Sequence, residues 1–227
     1  MRTIAVLLFK FSSDGSQLVQ TIGTPGEAGA DDAHFNRPTF LTWLPDSSLF
    51  VADGYNGNRV VKFDSDGNFV LAWGELGERG SETRPGYFNT VHGIAADPDT
   101  GRIYVSDRSN RRIQVFDENG TFVDQWPVGA RTNLQFLYIP ADRSGLWGFT
   151  DVTSKVVKWD FEGRLLYSWG VLGDFPGAFF NMHGGSVDQE GNLYVVEVGG
   201  GRVQKFRPRA GANPACLVGQ PVYAAWQ

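Results

Sequence analysis

Cysteine occurs once in the 227 residues, at Cys216, histidine three times and methionine twice. A single thiol forms no internal disulfide, which leaves the redox compartment open. No apolar run comes near the roughly 20 residues of a membrane helix, so no membrane span or membrane partner is expected. The formal charge of −5 carries no basic excess, and without clustered Lys and Arg a nucleic-acid partner is excluded. Apolar residues spaced by three or four, the mark of helical repeats, are missing too. The opening MRTIAVLLFKF is too short for a signal peptide and runs into Asp14-Gly15 rather than a small-residue cleavage site, so it reads as a strand. A soluble chain is expected, and its compartment stays unknown because a targeting segment ahead of Met1 would not show.

What the sequence has is 29 glycines and long stretches in which Val, Ile, Phe, Tyr and Trp recur at every second position. Residues 51–74, VADGYNGNRVVKFDSDGNFVLAWG, read as three strands joined by two turns, with GYNGN a loop whose Gly and Asn tolerate positive φ and Asp66-Gly67 a tight turn. The same grammar returns at 105–127 and 150–170, without its third strand at 196–208, and truncated at its front at 6–23. The aromatic before each turn, Phe11, Phe63, Phe116, Trp159 and Phe206, recurs at intervals of 52, 53, 43 and 47 residues, the length of a propeller blade. A further apolar segment between copies, at 39–44, 93–96, 136–139 and 184–187, supplies the innermost strand. The fold class is therefore all-β, a propeller with about four and a half four-stranded blades in one domain: a partial blade at 1–23 and blades at 39–74, 92–126, 133–170 and 184–221. The first copy starts at its second strand, and the loop corresponding to GYNGN is absent from it. An incomplete ring exposes sheet edges, so closure by terminal strand pairing, descent from a six-bladed parent, or a homo-oligomer covering the gap is expected.

The loops at 23–38, 74–91 and 170–182 end alike in HFNRPTF, YFNTVHG and FFNMHGG, which sets an aromatic and Asn ahead of each inner strand, at the mouth of the central channel. His92 and His183 stand at one repeat position and are candidate Zn²⁺ ligands, although a catalytic zinc takes three protein ligands. The plain alternative is that each imidazole donates to a loop carbonyl. His34 lies further ahead of its strand and reads as loop packing. Tyr55 follows Asp53-Gly54 and Arg108 follows Asp107, so a phenol and a guanidinium lie at matching strand exits of neighbouring blades. There a phenol can act as general base and an Arg can fork onto a carboxylate. Asp53, Asp107 and Asp151, by contrast, are assigned to capping the loops.

In that order HFNRPT, DGYNGNR, WGE, PGYFNTVHGIA and VSDRSNRRIQVF resemble the NHL-repeat propellers of the peptidyl-α-hydroxyglycine α-amidating lyase family, across residues 31–125 and again at MHGG and GRVQKF. The resemblance implies a six-bladed propeller whose channel zinc, held by three histidines, helps split a peptidyl-α-hydroxyglycine into a peptide amide and glyoxylate. It makes His92 and His183 two of the zinc histidines, Tyr55 the base, and Arg108 the contact to the substrate carboxylate. Met182, Asn181 and Asn89 fall beside them as substrate-binding candidates. Where the family has Met-Pro-His-Asp this chain has Asn181-Met182-His183-Gly184, which removes the acidic residue of a structural calcium and disfavours Ca²⁺. The family's first zinc histidine has no counterpart here, so weak Zn²⁺ binding and little lyase activity are expected. Two other functions stay open: a non-catalytic propeller holding a small peptide or protein ligand at the channel mouth, and a metal-dependent propeller lactonase or hydrolase using amide ligands such as Asn89 and Asn181.

Overall fold

A computed structural model of the chain describes residues 6–219; Ile4 and Pro221, placed by the sequence in the first and last blades, lie outside them. The chain divides into two compact units, residues 1–110 with 114–123 and residues 111–113 with 124–227. In the first, β1 (Leu8–Phe11) and β2 (Leu18–Ile22) form an antiparallel hairpin. A full blade follows, with β3 (Phe40–Trp43), β4 (Leu49–Asp53), β5 (Arg59–Phe63) and β6 (Phe69–Trp73) paired in chain order. The short β7 (Glu75–Leu76) and β8 (Tyr87–Phe88) pair in parallel across the next loop. Then β9 (Val91–Ala96), β10 (Ile103–Asp107), β11 (Arg112–Phe116) and β12 (Phe122–Pro127) make the second blade, the division between the units running through β11 and β12.

The second unit holds β13 (Leu134–Tyr138), β14 (Leu146–Thr150), β15 (Val156–Trp159) and β16 (Leu165–Trp169) as a four-stranded sheet. The three-stranded sheet β17 (Met182–Val187), β18 (Leu193–Glu197) and β19 (Arg202–Phe206) follows it. Among the described residues the only helical turns are two of 3-10 type, at Arg108–Asn110 and Pro214–Cys216. The fold is thus an all-β propeller of four blade sheets and one further hairpin, as the repeat spacing predicts.

Three inner strands start two residues earlier than alternation alone suggests, and the cause is a bulge. Asp107 pairs with Val91 and Val105 with Ile94, so His92 and Gly93 together face Ser106. In β17, Glu197 pairs with Met182 and Val196 with Gly184, which leaves His183 as the extra residue. Both histidines therefore lie inside bulged strands rather than ahead of them, where a bulge re-aims the side chain.

The hairpin turns share one device. Asp64 Oδ1 accepts the N–H groups of Asp66 and Asn68 at 3.0 and 2.8 Å, Asp117 those of Asn119 and Thr121, Asp160 those of Glu162 and Arg164, and Asp188 those of Glu190 and Asn192. These bonds favour the ionised carboxylate; the side-chain amide of Asn68 on Asp64 and that of Asn192 on Asp188 lead in holding both groups below the usual carboxylate range. A depressed folded pKa contributes stability above the unfolded value of about 3.9 and loses it as pH falls through the folded value. Thermal midpoints should therefore hold steady from pH 7 to about 5 and fall steeply below about 4. The Asp64→Asn/Asp188→Asn variant should flatten that fall, and an unchanged slope in the variant would remove these turns as its cause.

Each unit has its own apolar core. In the first, Phe50, Val60, Phe88, Val91, Ile94, Ile103 and Phe116 pack together with Trp73 against them, each large side chain contributing about 1.5–3 kcal/mol. In the second, Trp147, Phe149, Phe179, Met182 and Val195 do the same. The aromatics of the three loop endings belong here and not at a channel mouth. Phe35, Phe88 and Phe179 are buried, with ring centroids 5.8, 5.8 and 5.3 Å from Phe63, Phe116 and Phe206. The parallel pairing of each loop explains this, since Ala28 bridges Phe35, Leu76 pairs with Phe88, and Leu172 bridges Phe179, turning the ring inward.

Candidate functional site

In the first unit, Tyr55 leaves the end of β4 and its N–H donates to the Arg37 carbonyl at 3.2 Å. Arg108 leaves β10 in the same way, its N–H donating to the Thr90 carbonyl at 3.1 Å. Arg37 and Thr90 are thus repeat equivalents, and both take positive φ, 68° and 64°. The repeat also aligns Thr39 with His92, and the Thr39 hydroxyl lies 3.0–3.2 Å from the carbonyls of Ala52, Val91 and His92, which ties β9 to the preceding blade.

This framework brings three of the expected residues together. The Tyr55 hydroxyl lies 3.2 Å from His92 Nε2, and Arg108 Nη1 lies 3.4 Å from the same hydroxyl. A guanidinium only donates, so the phenol oxygen accepts from Arg108 and can direct its own proton to His92 Nε2. The Tyr55 and His92 rings meet edge to face, centroids 5.5 Å apart at 87°, and the Phe40 ring packs against the same fully buried imidazole at 5.3 Å.

Arg37, a loop residue that its type alone does not single out, completes the cluster. Its guanidinium carbon lies 4.7 Å from the centroid of the Tyr55 ring and that of Arg108 lies 5.2 Å from it. The signal available in the sequence was the alignment of HFNRPTF with YFNTVHG, which sets Arg37 one residue past the conserved-in-pattern Asn of both loops.

The carboxylates around the cluster are spent on the loops. Asp53, fully buried, accepts Asn36 N–H at 2.7 Å and pairs with Arg59 Nε at 3.0 Å. Burial pushes the Asp53 carboxyl up, against the pull of Asn36 N–H and Arg59. Asp107 accepts Asn89 N–H at 2.8 Å and the Asn110 amide at 3.0 and 2.9 Å. Asn89 in turn donates its amide to the Gly77 carbonyl at 3.0 Å. Gly54 and Gly57 are needed for close approach rather than for positive φ, which in GYNGN falls to Asn58 alone, at 51°. A Cβ on Gly54 would stand 1.8 Å from the Val91 carbonyl oxygen, and one on Gly57 2.4 Å from Asp53 Oδ2.

The remaining candidates lie in the second unit. Met182 is fully buried in its core, His183 is half-buried in the bulge of β17, and Asn181 is exposed with φ 61°, its carbonyl accepting Val198 N–H at 3.0 Å. Among the described residues no group of three His, Cys, Asp or Glu is placed to hold a metal ion. His92 Nε2 serves either the phenol or a metal, not both, so the donors described do not make up a three-ligand zinc site. No described helix is long and apolar enough to cross a membrane.

Strands and turns together define a β-propeller, and the NHL repeat model matches residues 88–116, the stretch from β8 to β11 that contains His92 and Arg108. The chain is similar to peptidyl-α-hydroxyglycine α-amidating lyase 1 of Drosophila melanogaster, 29% identical over 231 residues, covering 92% of this chain and 42% of that protein. It is similar as well to human NHL repeat-containing protein 3, 31% identical over 213 residues, covering 88% of this chain and 58% of the relative. The chain thus spans less than two thirds of either relative. Among solved structures a streptogramin B lyase superposes with a TM-score of 0.61 at 15% identity, covering 95% of this chain and 65% of that one, a likeness of fold alone.

Proposed function

We propose that Tyr55, His92 and Arg108 form the proton-transfer site of a peptidyl-α-hydroxyglycine lyase. The observation that carries the reading is the line from Arg108 Nη1 through the Tyr55 hydroxyl to His92 Nε2, with spacings of 3.4 and 3.2 Å. Tyr55 passes its proton to His92 and, as phenolate beside Arg108, takes the proton of the substrate hydroxyl. The C–O bond becomes a carbonyl as the C–N bond breaks, and the departing amide nitrogen takes up the proton held on His92, which leaves Tyr55 reprotonated by the substrate hydroxyl and His92 neutral again. One peptidyl-α-hydroxyglycine thereby yields one peptide amide and one glyoxylate, while Arg108 holds the carboxylate retained in glyoxylate.

Slow glyoxylate release from a hydroxyglycine peptide is expected of the chain, and Tyr55→Phe should lower it about 100-fold, within the range of a lost general base. Equal rates in parent and variant, or none above the uncatalysed background, would end this reading. If both bind the peptide equally well without releasing glyoxylate, the chain is a binding propeller. The part zinc plays is a separate proposal. Added Zn²⁺ should bind with micromolar or poorer affinity at His92, where it competes with the Tyr55 hydroxyl for Nε2, and His92→Ala should abolish that binding; a titration indistinguishable from the parent would remove this ligand.

A further inference from the structure

We propose that Arg37 is a second anion-binding residue at the Tyr55 site, which selects ligands carrying another negative charge beside the carboxylate held by Arg108. The inference rests on the carboxylate role proposed for Arg108, and the test below separates the two.

Two guanidiniums share one aromatic ring here, at 4.7 and 5.2 Å from its centroid, so the charges lie no more than about 10 Å apart. That is close to one Debye length at physiological salt, and the mutual repulsion is only partly screened. The Arg37 guanidinium is half-buried and makes no hydrogen bond or ion pair among the described residues; its stack on Tyr55 is its contact. Nearby acids do not answer it. Asp53 is taken by Arg59 and a backbone N–H, while Asp31 and Glu27 lie 2.6 and 3.4 Å from His34. The contact with the ring is not a hydrogen bond to an oxygen acceptor, so the planar fork of five N–H donors is left to meet one.

A carboxylate or phosphate edge fits that fork. Within a peptide bound by its terminal carboxylate at Arg108, the preceding residue lies about 3.3–3.6 Å further along the chain, and a Glu side chain adds the reach needed to span the remaining separation. The substrate class is therefore an acidic peptide, with Glu or Asp before the hydroxyglycine.

The probes are acetyl-Glu-Gly and acetyl-Gln-Gly, equal in size and differing by one charge, with binding followed by calorimetry at two salt concentrations. The parent should bind the Glu peptide about tenfold more tightly, a preference that shrinks as salt rises. Arg37→Gln should erase the preference, and Arg37→Lys, which keeps the charge without the fork, should retain part of it. Equal affinity of the parent for both peptides, or a preference that survives in Arg37→Gln, overturns the proposal. If the preference follows Arg37 while neither hydroxylated peptide releases glyoxylate, the inference stands and the lyase reading alone falls.

Discussion

Gly54→Ala is expected to cost about 4 kcal/mol or more of unfolding free energy, an effect at the exceptional end for a single methyl group. The added carbon would sit 1.8 Å from the Val91 carbonyl oxygen and 2.9 Å from the Thr39 side chain. The first of these is backbone of β9, already committed to its sheet, so no rotamer change relieves the contact. Backbone preference is not the issue, because Gly54 does not take positive φ. The control is Gly15→Ala, where φ is +72° and nothing lies within 4 Å of the new carbon. There only the cost of the left-handed conformation remains, about 1 kcal/mol. Urea unfolding of both variants checks the contrast, and a Gly54→Ala protein within about 1 kcal/mol of the parent would show that β9 can yield. Since β9 carries His92 and the residue after Gly54 is Tyr55, peptide binding should fail along with the fold at that position.

Much of this architecture is written in the sequence because a repeat states the same instruction several times. Alternation locates the strands, and Asp followed three residues on by Gly, as in Asp64 and Gly67 or Asp117 and Gly120, locates the hairpins. The meeting of Tyr55 with Arg108 follows from equal positions in adjacent repeats. Alternation cannot announce a residue that breaks it, and so the bulges that take His92 and His183 inside their strands were not legible. Phe35, Phe88 and Phe179 were legible as a recurring feature but not in their direction, since the short parallel pairings that turn them inward join segments with no strand pattern of their own. Arg37 escaped for a related reason. Its place over the Tyr55 ring depends on a loop residue at φ 68° and on a backbone bond from Tyr55, neither of which residue types disclose.

Arg59→Met is expected to cost about 3–5 kcal/mol near neutral pH, the range found when one partner of a buried ion pair is removed. The loss is larger than the pair itself is worth, because Asp53 is left with no cation and no water, its side chain being fully buried. Arg59 also donates to the carbonyls of Ala30 and His34, the latter at 2.6 Å, so the loop that leads to Arg37 loses its anchor too. The pH dependence separates the charge from the packing. In the parent, burial already raises the Asp53 carboxyl, and without Arg59 it rises further. A raised folded pKa contributes stability below the unfolded value of about 3.9 and loses it as pH climbs through the folded one. The deficit of Arg59→Met should therefore be smallest in acid, where Asp53 is neutral in both states, and widen towards pH 7. Adding Asp53→Asn to Arg59→Met should recover part of the deficit at pH 7, since a neutral amide keeps an acceptor for Asn36 N–H without a buried charge. Chemical unfolding of the parent and the single and double variants at pH 5 and 7 decides the matter. A deficit independent of pH and untouched by Asp53→Asn would place the cost in the lost contacts to Ala30 and His34 rather than in the stranded carboxylate.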